Sequence, residues 1–119
     1  MKLFDFGKTA GRQLTLFGSE NTVYTPVLNQ DQEIKVSCMH IGPQGLIGFH
    51  QATVDQLFLV MQGEGWVRGE EEERTPIKSG TAAFWTAEEW HESGSDMGMV
   101  AIVIEGENLQ PEKLLAKWG

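Results

Sequence analysis

The sequence predicts an all-β fold in which short strands form a sandwich or barrel. Short segments of alternating or continuous apolar residues recur between turns rich in glycine, proline and serine. A helical pattern is found only near the C-terminal end. The 119 residues suffice for one domain with one hydrophobic core, and no repeat or low-complexity linker divides them. We therefore expect a single domain over residues 1–119, built as an all-β sandwich or barrel.

Strand signals fill the central part of the chain, and they lie at residues 34–41, 56–62, 66–67, 75–77, 81–85 and 99–105. In the first segment the even-numbered residues from Ile34 to His40 share one face, because side chains alternate along a strand. The second segment, QLFLVMQ, is an almost continuous apolar run, which predicts a strand covered on both faces. The last is rich in β-branched residues, which strands favour. These segments define a barrel over residues 34–106.

The barrel is flanked by two different extensions. Residues 1–30 form an N-terminal extension with short strands of its own. Beyond the barrel, LQPEKLLAKW places Pro111 in a first helical turn, with an acidic residue near the start and a basic one near the end. We expect a short C-terminal helix over residues 109–118.

Charge and cysteine content narrow the function classes. Asp and Glu number 17 against 9 for Lys and Arg, and the net charge of -8 repels nucleic-acid phosphates and anionic membranes. Cys38 stands alone, so it forms no intrachain disulfide and is interpreted as a buried small hydrophobe. The chain has no apolar run near the ~20 residues of a membrane span and no apolar leader pattern. We expect a cytoplasmic protein that binds neither nucleic acid nor membranes.

Two stretches of sequence carry the candidate chemistry. The first, PQGLIGFHQATVDQLFLVMQGEG, resembles motif 1 of the cupin superfamily, which has a glycine, then His-x-His, a glutamate three or four residues later and a second glycine. The corresponding positions hold Gly45, His50, Ala52, Gln56 and Gly63.

The second stretch, GTAAFWTAEEWHES, resembles cupin motif 2, a glycine followed by Pro-x-Gly and a histidine. Thr86 and Glu88 replace the proline and the second glycine, and His91 remains. The order of the two motifs and the 16 residues between Gly63 and Gly80 are typical of small microbial cupins.

The resemblance implies a double-stranded β-helix, or jelly-roll barrel, whose motif histidines point into the cavity. In metal-binding cupins three histidines and one glutamate hold iron, manganese, nickel, copper or zinc. Here Ala52 removes one imidazole, and Gln56 replaces the carboxylate with an amide, a poorer ligand. We expect His50, Gln56 and His91 to bind a divalent transition metal weakly, and the residues do not distinguish among these metals. In the alternative, they are hydrogen-bonded cavity residues.

Further residues are candidates for the lining of the cavity. Phe58 shares a face with Gln56, and Trp85 ends the strand that leads into motif 2. His40 either faces the cavity or is a hydrogen-bonded core histidine. The carboxylates near the motifs are Glu88, Glu92 and Asp55, and the sequence places none of them as a general base.

Two function classes fit these residues. One is a non-catalytic protein that binds a small molecule in the barrel. The other is a metal-dependent enzyme of the dioxygenase, isomerase or lyase type acting on a small organic substrate. A sugar-nucleotide epimerase is disfavoured, because no set of Lys and Arg near the motifs suits a diphosphate. We also expect a homodimer, in which N-terminal apolar residues such as Leu3, Phe4 and Phe17 cover a neighbour's edge strand.

Overall fold

Strands make up most of the regular structure, as the sequence predicted. A computed structural model describes residues 1–118. The strands are β1 (Lys2–Asp5), β2 (Arg12–Gln13), β3 (Val23–Tyr24), β4 (Lys35–Ile41), β5 (Gly45–Gln51), β6 (Asp55–Arg68), β7 (Thr75–Lys78), β8 (Thr81–Trp85), β9 (Trp90–Ser95), β10 (Met99–Gly106) and β11 (Ala116–Lys117). Three short 3-10 turns, Lys8–Ala10, Leu16–Gly18 and Pro111–Lys113, accompany them. Within residues 1–118 no helix has the length and apolar content needed to cross a membrane.

The long strand β6 joins the two sheets of the barrel. Its first part pairs with β8 and β10, and its second part, from Glu64 onward, pairs with β7 and β9. The change occurs at Gly63, whose φ of +80° favours glycine and where a Cβ would collide with the carbonyl oxygen of Gly98. One sheet has the strand order β11-β1-β8-β6-β10-β4, and the second is formed by β5, β9, β7 and the end of β6.

Strand β6 is covered on both faces, as its apolar run predicted. Phe58 and Val60 pack between the two sheets with Trp85 and Met99. Leu57 and Leu59 belong to a second cluster on the outer face. The terminal segments complete that outer cluster with Phe4, Leu109 and Leu115.

The C-terminal segment corrects the prediction of a helix over residues 109–118. The chain forms the turn Pro111–Lys113 and then strand β11, which pairs with β1. A helix of this length is marginal in isolation. Pairing with β1 satisfies the backbone instead, while Leu109 and Leu115 are buried on the outer face.

Strand β4 corrects a second expectation. Cys38 and His40 are both exposed, and it is Lys35 and Met39, on the opposite parity, that line the barrel cavity. The period of two shows which side chains share a face. The period does not show which face points into the barrel when both faces of an edge strand are exposed.

The first strand is used within its own chain. β1 pairs with β8, and Phe4 is only 3% exposed in the outer cluster. Phe4 is therefore not free to cover a neighbouring molecule, whereas Leu16 and Phe17 remain exposed.

Candidate metal and ligand cavity

A cavity of about 200 Å³ lies between the two sheets and contains both motif histidines. The residues that line it are Lys35, Met39, Ile47, His50, Gln56, Phe58, Trp85, His91, Ser93, Val103 and Glu105. The structure thus brings together His50, Gln56 and His91 with Phe58 and Trp85. The volume corresponds to roughly seven water molecules at about 30 Å³ each, so the cavity suits a small ligand.

His50 and His91 are direct neighbours across the β5–β9 ladder. Their ring centroids are 4.3 Å apart. The register of this ladder shifts between Ile47 and His50, which places one extra residue in β5. Such a bulge changes the face to which the following side chains point. It explains how Ile47 and His50, three positions apart, both line the cavity.

Backbone carbonyl groups fix the tautomers of the two imidazoles. Nδ1 of His50 lies 2.6 Å from the carbonyl oxygen of Gly48, and Nδ1 of His91 lies 3.4 Å from that of Glu89. A carbonyl only accepts hydrogen bonds, so each neutral ring carries its proton on Nδ1. The lone pair is then on Nε2 of both rings, which is the nitrogen left to bind a metal or a donor group.

His91 is the more buried of the two histidines, with 3% of its surface exposed. Burial lowers the pKa of His91, and the adjacent His50 lowers it further. The negative charge of Glu105 acts in the opposite direction. The neutral form that ligates metals is therefore favoured in the folded protein.

Four cavity residues form a row across four strands of the other sheet. Lys35, Glu105, Gln56 and Trp85 are successive register partners on β4, β10, β6 and β8. Gln56 donates from Nε2 to Oε1 of Glu105 at 3.0 Å, and Lys35 Nζ lies 3.7 Å from Oε2 of the same carboxylate. Because the carboxylate accepts the amide N–H, Oε1 of Gln56 is left as a free acceptor.

Trp85 supplies the opposite kind of group. Its side chain stacks on His91, with the ring centroids 4.4 Å apart, and is 1% exposed. Its Nε1 has no hydrogen-bond partner among residues 1–118. An unpaired buried N–H is costly, and an acceptor on a bound molecule could satisfy it.

The preassembled ligands fit a metal only in part. Within residues 1–118, no group of three or more His, Cys, Asp and Glu side chains is arranged to hold a metal ion. Two imidazole nitrogens and one amide oxygen remain, which transition metals accept. The three carboxylates that lie near the motifs in the sequence do not line this cavity. Glu92 pairs with Arg68 at 2.8 Å, Asp55 accepts from the backbone N–H groups of Ala87 and Leu109, and Glu88 is exposed.

Sequence reasoning placed His40 incorrectly and missed two charged residues. His40 is an exposed residue of β4, with its Nε2 3.5 Å from Cys38 Sγ, and it does not line this cavity. The two charged residues are Lys35 and Glu105. Glu105 was detectable, since it shares the parity of the inward residues Ala101 and Val103 at the end of an otherwise apolar strand.

A larger depression of about 600 Å³ lies elsewhere on the barrel, lined by residues that include Trp66, Met97 and Trp118. It contains neither motif histidine. The smaller cavity is the candidate site, because His50, Gln56 and His91 all line it.

Comparisons with solved structures identify the fold. The chain is similar to a cupin superfamily protein from Desulfitobacterium hafniense, at 17% identity and a TM-score of 0.59, over 76% of this chain and 82% of that one. It is also similar to a cupin-2 domain protein from Shewanella frigidimarina, at 14% identity and a TM-score of 0.56, over 78% and 87% of the two chains.

A third similar structure is a protein from Thermotoga maritima described as a predicted oxalate decarboxylase. It shares 19% identity and a TM-score of 0.54, over 58% of this chain and 62% of that one. No family model matches the sequence, and no curated protein matches it significantly. At these identities the similarity establishes architecture and not activity. The strand topology and the structural similarity together show that this chain has the cupin fold, a jelly-roll barrel.

Proposed function

We propose that the protein binds a divalent transition metal and a small molecule in the barrel cavity. His50 and His91 would hold the metal through Nε2, and Gln56 through Oε1. The observation that supports this most directly is the pair of carbonyl contacts that leaves both Nε2 lone pairs free. These three acceptors line the cavity together with the carboxylate of Glu105, and a cation is the partner that such a set favours.

The expected affinity is modest. The three ligands are neutral, and the amide oxygen is a weaker donor than the carboxylate implied by the cupin motif. His50 is also exposed, so part of its ordering takes place on binding. The neighbouring hydrophobic wall, which includes Ile47, Phe58 and Val103, suits the apolar part of a small organic ligand.

The test is metal binding by the purified full chain, measured by calorimetry with nickel and zinc after removal of chelators. We expect His50→Ala and His91→Ala each to weaken binding by roughly tenfold or more, since each removes one imidazole ligand. The matched control is His40→Ala, because His40 is the third histidine and lies outside the cavity. The proposal would be contradicted if both cavity variants bound metal as tightly as the wild type, or if the wild type bound no metal.

A metal-dependent enzyme is the second candidate. It is favoured by the carboxylate of Glu105 in the same cavity and by the fold shared with the protein described as a predicted oxalate decarboxylase. Incubation of metal-loaded protein with oxalate, with formate measured as the product, tests this reaction. No formate above the level of the His91→Ala variant would exclude oxalate decarboxylation.

A further inference from the structure

Glu105 is the acidic residue among the side chains that line the cavity. A divalent ion held by two neutral imidazoles and a neutral amide would keep its full charge in a partly buried site, which is unfavourable. Lys35 adds a positive charge at the same place. An anionic ligand would balance the ion, and the cavity offers one.

We propose that Glu105 is the anionic ligand of this metal site, supplied from β10 across the ladder from Gln56. The inference rests on the metal binding proposed above. Gln56 and Glu105 are register partners on neighbouring strands. The Cβ atoms of register partners are typically about 5 Å apart. The side chain of Glu105 can therefore reach the same metal ion as that of Gln56. The carboxylate implied by the cupin motif at position 56 is thus present one strand away.

Ligation requires Glu105 to leave one or both of its present partners, the amide N–H of Gln56 and the ammonium group of Lys35. Its Oε2 lies 3.7 Å from Lys35 Nζ, and the Lys35 side chain is 76% exposed. The Glu105 side chain is only 20% exposed, but an ion pair with an exposed ammonium group at this distance contributes little, because water solvates the ammonium group almost as well. Loss of the ion pair therefore adds little to the cost of rotation, which comes mainly from the hydrogen bond to Gln56, and Lys35 competes with the metal for the same carboxylate.

The primary test compares two acidic residues by calorimetry with zinc on the full chain. Glu105→Gln keeps the size of the side chain and removes its charge, and we expect Kd to rise by roughly tenfold or more. Glu107→Gln makes the same change in net charge at an exposed neighbour that does not line the cavity. We expect its Kd to stay within about twofold of wild type, since distant exposed charges are screened by salt.

Glu105 could bind the metal directly or only position Gln56, and these two roles predict different results. If Glu105 binds the metal itself, Glu105→Gln weakens binding more than Gln56→Ala does, and the double variant Gln56→Glu with Glu105→Gln recovers most of the affinity. Lys35→Met should strengthen binding, because it removes the competing cation. Equal losses in Glu105→Gln and Gln56→Ala, with no further loss in the double variant Gln56→Ala with Glu105→Gln, would make Glu105 a positioning residue and overturn ligation.

The proposed metal site and the role of Glu105 can fail separately. If Glu105→Gln binds zinc as tightly as wild type while His50→Ala and His91→Ala do not, the role of Glu105 is overturned and the histidine site stands. If wild-type protein binds no metal, both are overturned. Thermal unfolding of each variant without metal shows whether a loss of binding reflects a loss of folded protein. If Glu105→Gln does not fold, the test depends on Lys35→Met and on the double variant Gln56→Glu with Glu105→Gln.

Discussion

The two walls of the cavity differ in how firmly they are held. One wall comes from β6, β8, β9 and β10 and presents Phe58, Trp85 and His91, each 3% exposed or less. The other comes from the edge strands β4 and β5 and presents Met39 and His50, both exposed. The histidine pair spans the boundary between the two. Of the two proposed ligands, His91 is therefore held in place by packing, whereas the exposed His50 would complete its ordering on binding.

Truncation of one phenylalanine in each wall should give the largest contrast. Phe58 is buried in the inner cluster, and Phe49 is 42% exposed on β5, where it stacks on Trp90. We expect Phe58→Ala to lower the free energy of unfolding by about 3–5 kcal/mol, because it leaves a cavity in the core. Phe49→Ala should lower the free energy of unfolding by only about 1 kcal/mol, because it removes a partly exposed stacking interaction. Urea denaturation measures both, and equal losses would show that the walls do not differ.

The exposed wall is also where we expect the homodimer contact. Val36 and Leu46 are 57% and 58% exposed on edge strands that each pair on one side. A second copy that covers them would bury apolar surface and pair unsatisfied strand edges. Val36→Lys should convert the dimer to monomer in analytical ultracentrifugation, with Val23→Lys, an exposed valine on β3, as the control. A monomeric wild type at the same concentration would argue against this interface.

Between pH 8 and pH 5, the stability of the fold should depend on the protonation of the buried His91. Burial and His50 lower the pKa of His91, so below about pH 6.5 the unfolded chain takes up a proton that the folded protein does not. The free energy of unfolding is then fully retained above that pH and falls as the pH drops through the lowered pKa. Denaturation of chelator-treated protein from pH 8 to 5 measures it. His91→Gln should flatten the profile and His40→Ala should not; the reverse result would remove His91 as the cause.

The smallest effect concerns the turn between β8 and β9, which belongs to the buried wall and is hydrogen-bonded to the end of the exposed wall. Glu88 has a φ of +76°, and its turn makes backbone hydrogen bonds with Ala52 at the end of β5. A side chain in this left-handed conformation is unfavourable by about 1 kcal/mol, a penalty that glycine avoids. Glu88→Gly should therefore raise the free energy of unfolding by about that amount. Glu88→Ala keeps the strain, so a similar gain in that control would point to loss of charge instead.

Glu88 also illustrates what the sequence could reveal. Cupin motif 2 has a glycine at this position, and the backbone keeps a conformation that suits glycine although the side chain has changed. The fold was predictable for the same reason, because the apolar periods and the spacing between motifs persist where individual residues do not. His50, Gln56 and His91 were expected to meet and do line one cavity.

What the sequence could not supply depends on register and tertiary pairing. The row from Lys35 through Glu105 to Gln56 exists only because three strands align at that level. The bulge before His50 is likewise a property of the β5–β9 ladder. The missing C-terminal helix has the same origin, since the pairing of β11 with β1 overrides a weak local helical preference.

The contact between Trp85 and His91 gives the cavity a built-in optical signal. An indole stacked at 4.4 Å on an imidazole is close enough for its fluorescence to be quenched when that imidazole gains a proton or a paramagnetic ion such as nickel. The chain has three other tryptophans, whose emission would remain in a Trp85→Phe variant. Subtraction of the spectrum of that variant would isolate the emission of Trp85. Occupancy of the cavity could then be followed in dilute solution without any added label, including in a screen of candidate ligands.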